Sequence, residues 1–96
     1  MHLISQTPLK AFWEIHRDAE SPLRFWIKAV RSASWKSLVD VRKTFNAADP
    51  YKKFTIFDIG GNRYRLIAAI HFNRQKVYVR HILTHKEYDL GKWKTE

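Results

Sequence analysis

The sequence predicts an α+β domain in which N-terminal helices pack on one face of a small antiparallel β-sheet. Three observations lead there: helical periodicity fills the first half of the chain, two-residue alternation fills the second, and Gly60-Gly61-Asn62 links two alternating runs. Ninety-six residues with 45% hydrophobic and 15% aromatic content suit one domain, residues 1–96, and exclude a disordered basic tail.

His2 to Gln6 is short, apolar at Leu3 and Ile4, and reads as an edge strand. Thr7-Pro8 opens a helix: Thr7 can cap, and Pro8 falls at the first helical position, where its missing N–H costs nothing. Leu9, Phe12, Trp13 and His16 then recur on one helical face. Ser21-Pro22 repeats the device before Leu23, Trp26, Ile27 and Val30, and a short Asp18-Ala19-Glu20 link makes the pair an αα-hairpin. A third helix is expected from about Ser37 to Phe45, with Ser37 and Asp40 resembling a capping box, and Asn46 to Pro50 stops it. Phe54 to Ile59 is a β-branched and aromatic strand. Gly60-Gly61-Asn62 tolerates the positive φ of a tight hairpin, Arg63 to Phe72 is the longest strand, and Asn73-Arg74-Gln75 turns it into Lys76 to Leu83.

Charge narrows the function. The net charge is +9, split as +3 over residues 1–49 and +6 over residues 50–96, which favours a polyanionic partner. Tyr51 to Lys86 carries eight Lys/Arg against one acid, Asp58. With no cysteine, disulfides and thiolate-bound zinc are excluded, and the histidines lack ligand spacing, so no metal or cofactor is expected. No signal-peptide pattern or membrane-length apolar run is visible, which suits a cytoplasmic protein. Glu14 and Asp18 interrupt the polar face of the first helix, so a membrane-surface role is disfavoured.

Alternation sorts the cations. Tyr64, Leu66, Ala68, Ile70 and Phe72 form a core face, with Val77, Val79, His81, Leu83 and His85 expected beside them. Arg63, Arg65, His71, Lys76, Tyr78 and Arg80 then gather on the opposite face, which small Ala69 would leave concave. His81 is expected to be a core histidine satisfied by a hydrogen bond. Acids near Arg65 are few, so its guanidinium is read as a phosphate grip rather than a partner in an ion pair. Lys52 and Lys53 precede the first strand of the meander and can meet an RNA backbone.

Ile59-Gly-Gly-Asn-Arg-Tyr-Arg-Leu-Ile-Ala-Ala-Ile-His71 and Thr84-His-Lys-Glu-Tyr-Asp89 together resemble the HigB-type toxins of bacterial type II toxin–antitoxin modules, a branch of the RelE/ParE superfamily. The similarity runs over essentially the whole chain, from Met1-His2-Leu3-Ile4-Ser5 through Trp35 to Phe45. It implies a RelE-like, microbial RNase-like fold. It also implies ribosome-dependent cleavage of translated mRNA and neutralisation by a HigA-like helix-turn-helix antitoxin, with operator DNA bound only by the toxin–antitoxin complex. Arg65 matches the phosphate-contacting arginine of RelE-like toxins, and His85 or Lys86 with Tyr88 match its C-terminal site loosely. The lysine pair of RelE proper is missing, since Thr55 and Phe57 stand at those places.

The resulting expectation is metal-independent attack by the ribose 2′-hydroxyl. Arg65 and Arg80 would stabilise phosphorane charge, and Tyr88 would stack or orient. His85 or Lys86 would move the proton, histidine being the side chain that exchanges one near neutral pH. Lys52, Lys53, Arg63, His71, Arg74, Lys76 and Tyr78 would bind the RNA. A non-catalytic nucleic-acid-binding module and a ParE-like gyrase inhibitor remain open on the same charge and fold.

Overall fold

A computed structural model describes residues 1–95. The order is β1 (His2–Ile4), α1 (Thr7–Ile15), α2 (Glu20–Ser32), α3 (Leu38–Thr44), β2 (Asp49–Tyr51), β3 (Phe54–Ile59), β4 (Tyr64–His71), β5 (Lys76–Thr84) and α4 (His85–Leu90). Single 3₁₀ turns occupy Arg17–Ala19, Phe72–Arg74 and Lys92–Thr95. The five strands form one sheet in the order β1-β5-β4-β3-β2. The expected meander is β3, β4 and β5, all antiparallel. The sheet as a whole is mixed rather than purely antiparallel, because β1 runs parallel to β5 in the register Leu3↔Val77. That pairing joins residues far apart in sequence, which local pattern cannot reveal.

The helical layer forms as the periodicity requires. Leu9, Trp13, Leu23, Trp26, Val30 and Val41 are buried against Phe57, Ile59, Leu66, Ala68, Val77 and Val79 of the sheet. Trp26 meets Phe57 edge-on at 5.4 Å between ring centroids. Full burial of one such side chain contributes about 1.5–3 kcal/mol. The helix starts differ in detail from expectation. Thr7 is the first residue of α1 rather than its cap, and α2 begins at Glu20, ahead of Ser21-Pro22. Ser37 stands at the α3 cap without a side-chain bond to it; Asp40 instead accepts from the Lys36 N–H at 2.9 Å. The β3–β4 turn uses Gly60 at φ 64° and Gly61 at φ 70°, the left-handed region that the Gly-Gly pair supplies without a Cβ penalty.

One irregularity rearranges the second face. Ile67 of β4 opposes His81, whereas its neighbour Ala68 opposes Val79, so Arg80 is an extra residue bulged out of β5. Val77 and Val79 face the helices as expected. Beyond the bulge the alternation is reset: Ile82 packs with the helical core, while Leu83 packs on the opposite side. His81 and Leu83 therefore do not belong to the core face, contrary to uninterrupted alternation. His81, half-buried, shares the open side with Ile67.

The open side is not a bare concave floor either. Phe54, Ile56, Ile67, Ala69 and Trp93 form a second buried cluster, with Tyr51, Tyr78, Leu83 and Tyr88 packed around it. After β5 the chain makes α4, and the following 3₁₀ turn lays Trp93, only 3% exposed, over Ala69 and its neighbours. The space that small Ala69 leaves is filled from the C-terminal segment. Among the described residues, no helix is long and apolar enough to cross a membrane.

Candidate functional site

The Thr84 to Asp89 segment is a helix start in which two sets of residues have different duties. Thr84 accepts from the Glu87 N–H at 3.2 Å and the Glu87 carboxylate accepts from the Thr84 N–H at 2.9 Å, a complete capping box. With Thr84 and Glu87 fixing the helix, His85, Tyr88 and Asp89 are presented from its first turns. His85 Nδ1 lies 2.8 Å from an Asp89 carboxylate oxygen, one helical turn away. An ionised carboxylate can only accept, so Nδ1 carries the proton and Nε2 is the nitrogen turned to other partners. The expected strand-end position of His85 is thus the first residue of α4.

Tyr88 connects this helix to Arg65. Its ring stacks on Trp93 at 5.3 Å and 11°, and its carbonyl accepts from Trp93 Nε1 at 3.1 Å. The Arg65 guanidinium carbon lies 5.4 Å from the Tyr88 ring centroid, within cation–π reach. Arg65 is itself fixed. Its Nε is 3.2 Å from Asp58, one terminal nitrogen donates to the Tyr64 carbonyl at 3.1 Å, and the other donates to Asn62 Oδ1. Its side chain is 11% exposed, so it forms an ion pair rather than standing as the unpartnered guanidinium expected. Two of its five N–H donors are used in these hydrogen bonds and Nε faces Asp58 as an ion pair, which leaves one N–H on each terminal nitrogen for a ligand oxygen.

Arg63 departs from the working face. It lies in the turn before β4, and its guanidinium pairs with Asp18 of the helical layer at 2.5 Å. The Tyr64 hydroxyl donates to the other Asp18 oxygen at 2.5 Å. The Tyr64 bond, followed by that of Arg63, holds the Asp18 carboxyl below its ordinary range. The same bond to Asp18, then burial, pushes the Tyr64 hydroxyl above its ordinary range. This triad ties the β-hairpin to the helices.

The remaining cations occupy other ground. His71 contacts the Tyr78 ring edge-on at 5.1 Å and faces Lys76 across the strands, while Arg80 lies 6.0 Å from Tyr78. Arg65 and His71 sit six residues apart on β4, so the His71–Lys76 pair is about 20 Å from Arg65 along the strand, with Tyr78 and the bulged Arg80 in register between them. Arg74 lies in the 3₁₀ turn between β4 and β5. Lys52, in the left-handed region at φ 52°, and Lys53 occupy the β2–β3 turn, over Tyr51 at 5.6 Å and Phe54 at 5.4 Å respectively. Lys94 adds a cation 5.3 Å from Tyr51. Lys86 is exposed on α4. The structure thus gathers Arg65, His85 and Tyr88 at one end of the open face. His71 and Lys76 lie at the other end, Tyr78 and the bulged Arg80 come between, and Arg63 faces elsewhere.

Sequence reasoning missed Trp93, Asp89 as the partner of His85, and Asn62 as the brace of Arg65. Gly91 with an aromatic residue two positions later was the available signal for Trp93, since a helix-terminating glycine turns the chain back on itself.

A model of the HigB toxin family, described as the RelE-like toxic component of a toxin–antitoxin system, matches residues 19–91. The mRNA interferase toxin HigB of Escherichia coli K12 is 34% identical over 92 residues, covering 93% of this chain and 88% of that protein. The mRNA interferase HigB of Shigella flexneri matches equally, and that of Escherichia coli O6:H1 is 29% identical over 92 residues, 93% of this chain and 89% of its own length. These matches show that the chain belongs to the HigB family of RelE-like toxins from toxin–antitoxin systems.

Proposed function

We propose that this chain is an mRNA interferase, an endoribonuclease that cuts translated messages on the open face of its sheet and so arrests growth. The observation that carries the reading is the braced Arg65 facing Tyr88, next to a helix that offers a carboxylate-oriented histidine. Cleavage needs three things: deprotonation of a ribose 2′-hydroxyl, stabilisation of the phosphorane, and protonation of the departing 5′-oxygen. The 2′-oxygen bonds to phosphorus as the 5′-oxygen bond breaks, which leaves a 2′,3′-cyclic phosphate. Arg65, positioned before substrate arrives, supplies charge stabilisation without reorganising. His85 takes or returns a proton through Nε2, with Asp89 holding the ring. Tyr88 orients the ribose or stacks on a base.

Lys86 is a nearby auxiliary cation. Arg80, with Tyr78, His71, Lys76 and Arg74, extends the phosphate track along β5, and Lys52 and Lys53 flank it from the β2–β3 turn. Arg63, paired with Asp18 of the helical layer, lies off this track. The partners are mRNA on the ribosome in the cytoplasm and a HigA-like helix-turn-helix antitoxin, with operator DNA bound only as the toxin–antitoxin complex.

Primer extension on a translated message, with and without ribosomes, tests the reading. Codon-linked ends that appear only with ribosomes are expected. DNA breaks without message ends would redirect the assignment to gyrase inhibition, and binding without any cut would make the chain a non-catalytic module.

A further inference from the structure

Beside the Arg65–Tyr88 group the open face carries a cleft of about 310 Å³, lined by His81, Leu83, Glu87, Leu90, Lys92 and Trp93. Two of its lining residues neighbour the candidate site. Leu83 is the cross-strand partner of Arg65, and Glu87 immediately precedes Tyr88 in α4. Its walls are mostly apolar. Leu90 stands at 64% exposure, one of few large hydrophobic side chains left open to water. A carboxylate on the rim repels phosphate and accepts hydrogen bonds, so the cleft suits a neutral, flat group that carries N–H donors.

We propose that this cleft seats an unstacked nucleobase next to the scissile phosphate, and that Glu87 selects bases bearing an exocyclic amino group. The inference rests on the interferase reading and adds a specificity determinant to it. One Glu87 oxygen is committed to the Thr84 N–H, and the carboxylate retains further acceptor capacity for an amino group of adenine, cytosine or guanine. Uracil has no exocyclic amino group: its equivalent edge offers a single N3–H flanked by two carbonyl oxygens, which a carboxylate repels, so it is held less well. Leu83, Leu90 and Trp93 supply the apolar contact that an extruded base needs, and Lys92 can meet the phosphate of that nucleotide.

The test is Glu87→Gln, because glutamine preserves the capping box while an amide replaces the carboxylate. Cut sites are mapped on a message containing all codons, and the ratio of cutting next to amino-bearing bases against uracil is read within each sample. A wild-type ratio above one that falls about tenfold in E87Q is expected, the value of one charged hydrogen bond. An unchanged ratio, or a wild-type enzyme indifferent to the base, overturns the proposal. Should E87Q cut nothing, Leu90→Ala, at an exposed position, carries the same test with a several-fold fall expected. If Leu90→Ala instead weakens antitoxin neutralisation and leaves the ratio intact, the cleft is a protein contact and the base assignment is wrong. A wild-type chain that cuts no message at all would sink the interferase reading itself, which separates that failure from this one.

Discussion

Helices α1 and α2, 9 and 13 residues long, cover one face of the sheet, whereas among the described residues the opposite face has only the 6-residue α4 and one 3₁₀ turn. The first covering is broad and apolar, and it buries Leu9, Leu23, Trp26 and Val30 completely. The second depends on a single inserted side chain, Trp93, ringed by aromatic residues and lysines. The contrast separates two tasks. A thick hydrophobic layer supplies most of the folding free energy, and a thin cover leaves Arg65, His85 and Tyr88 reachable from solvent. Most polar substitutions on the open face should therefore alter activity more than stability, with Trp93 the exception.

The sharpest way to break this contrast is Trp93→Ala. Loss of a buried tryptophan costs about 3–5 kcal/mol, lowering the melting temperature of so small a domain by more than about 10 °C. Cleavage should fall with it, because Tyr88 loses its stacking partner. An unchanged melting curve would mean the thin cover contributes no stability. Next is Arg65→Ala, expected to lower the cleavage rate roughly 10²–10³-fold in single-turnover assays while circular dichroism stays native-like. Arg65→Lys should recover little, because lysine cannot reach Asp58, Asn62 and the Tyr64 carbonyl with one planar fork.

His85→Ala is expected to cost about 10²-fold in rate, and Asp89→Asn less, since it only orients the ring. Equal losses from both would show that the pair acts as a structural unit rather than as a base and its brace.

The smallest effect concerns the triad on the helical side. Asp18 has its carboxyl pKa depressed by Tyr64 and Arg63, so its stabilisation is present above the ordinary value of 3.8 and is lost as pH falls through the lowered one. Tyr64 is shifted the other way: its stabilisation is present below the ordinary 10.0 and is lost as pH rises through the elevated value. Asp18→Asn should flatten both limbs of a stability–pH curve, measured by urea denaturation, and leave neutral-pH cleavage near wild type. A curve identical to wild type below pH 4 would show that the triad does not couple to folding.

Local signals explain which parts were legible. The Leu9–Trp13 and Leu23–Val30 spacings report the two long helices because each helix presents several turns to the core. The meander follows from Gly60-Gly61 and from the clean alternation on β4. What escaped had too little sequence or too much distance. Helix α4 is shorter than two turns, so its periodicity is unreadable, although its capping residues Thr84 and Glu87 were in plain view. The β1–β5 pairing depends on contacts across most of the chain. The pairing of Arg65 with Asp58 follows from their cross-strand register, and the bulge at Arg80 decides the faces of every residue after it.

That bulge has a consequence for how the chain tolerates change in length. Val79 faces the helices and His81 faces away, so removal of Arg80 alone joins two residues that already alternate correctly. Deletion within a central strand normally inverts everything downstream, yet here an in-frame loss of one codon would restore regular pairing and keep Ile82 and Leu83 on their present sides. Relatives one residue shorter at this point are therefore structurally admissible. They would forgo a guanidinium beside Tyr78 and the local bend of the strand, and keep the fold intact.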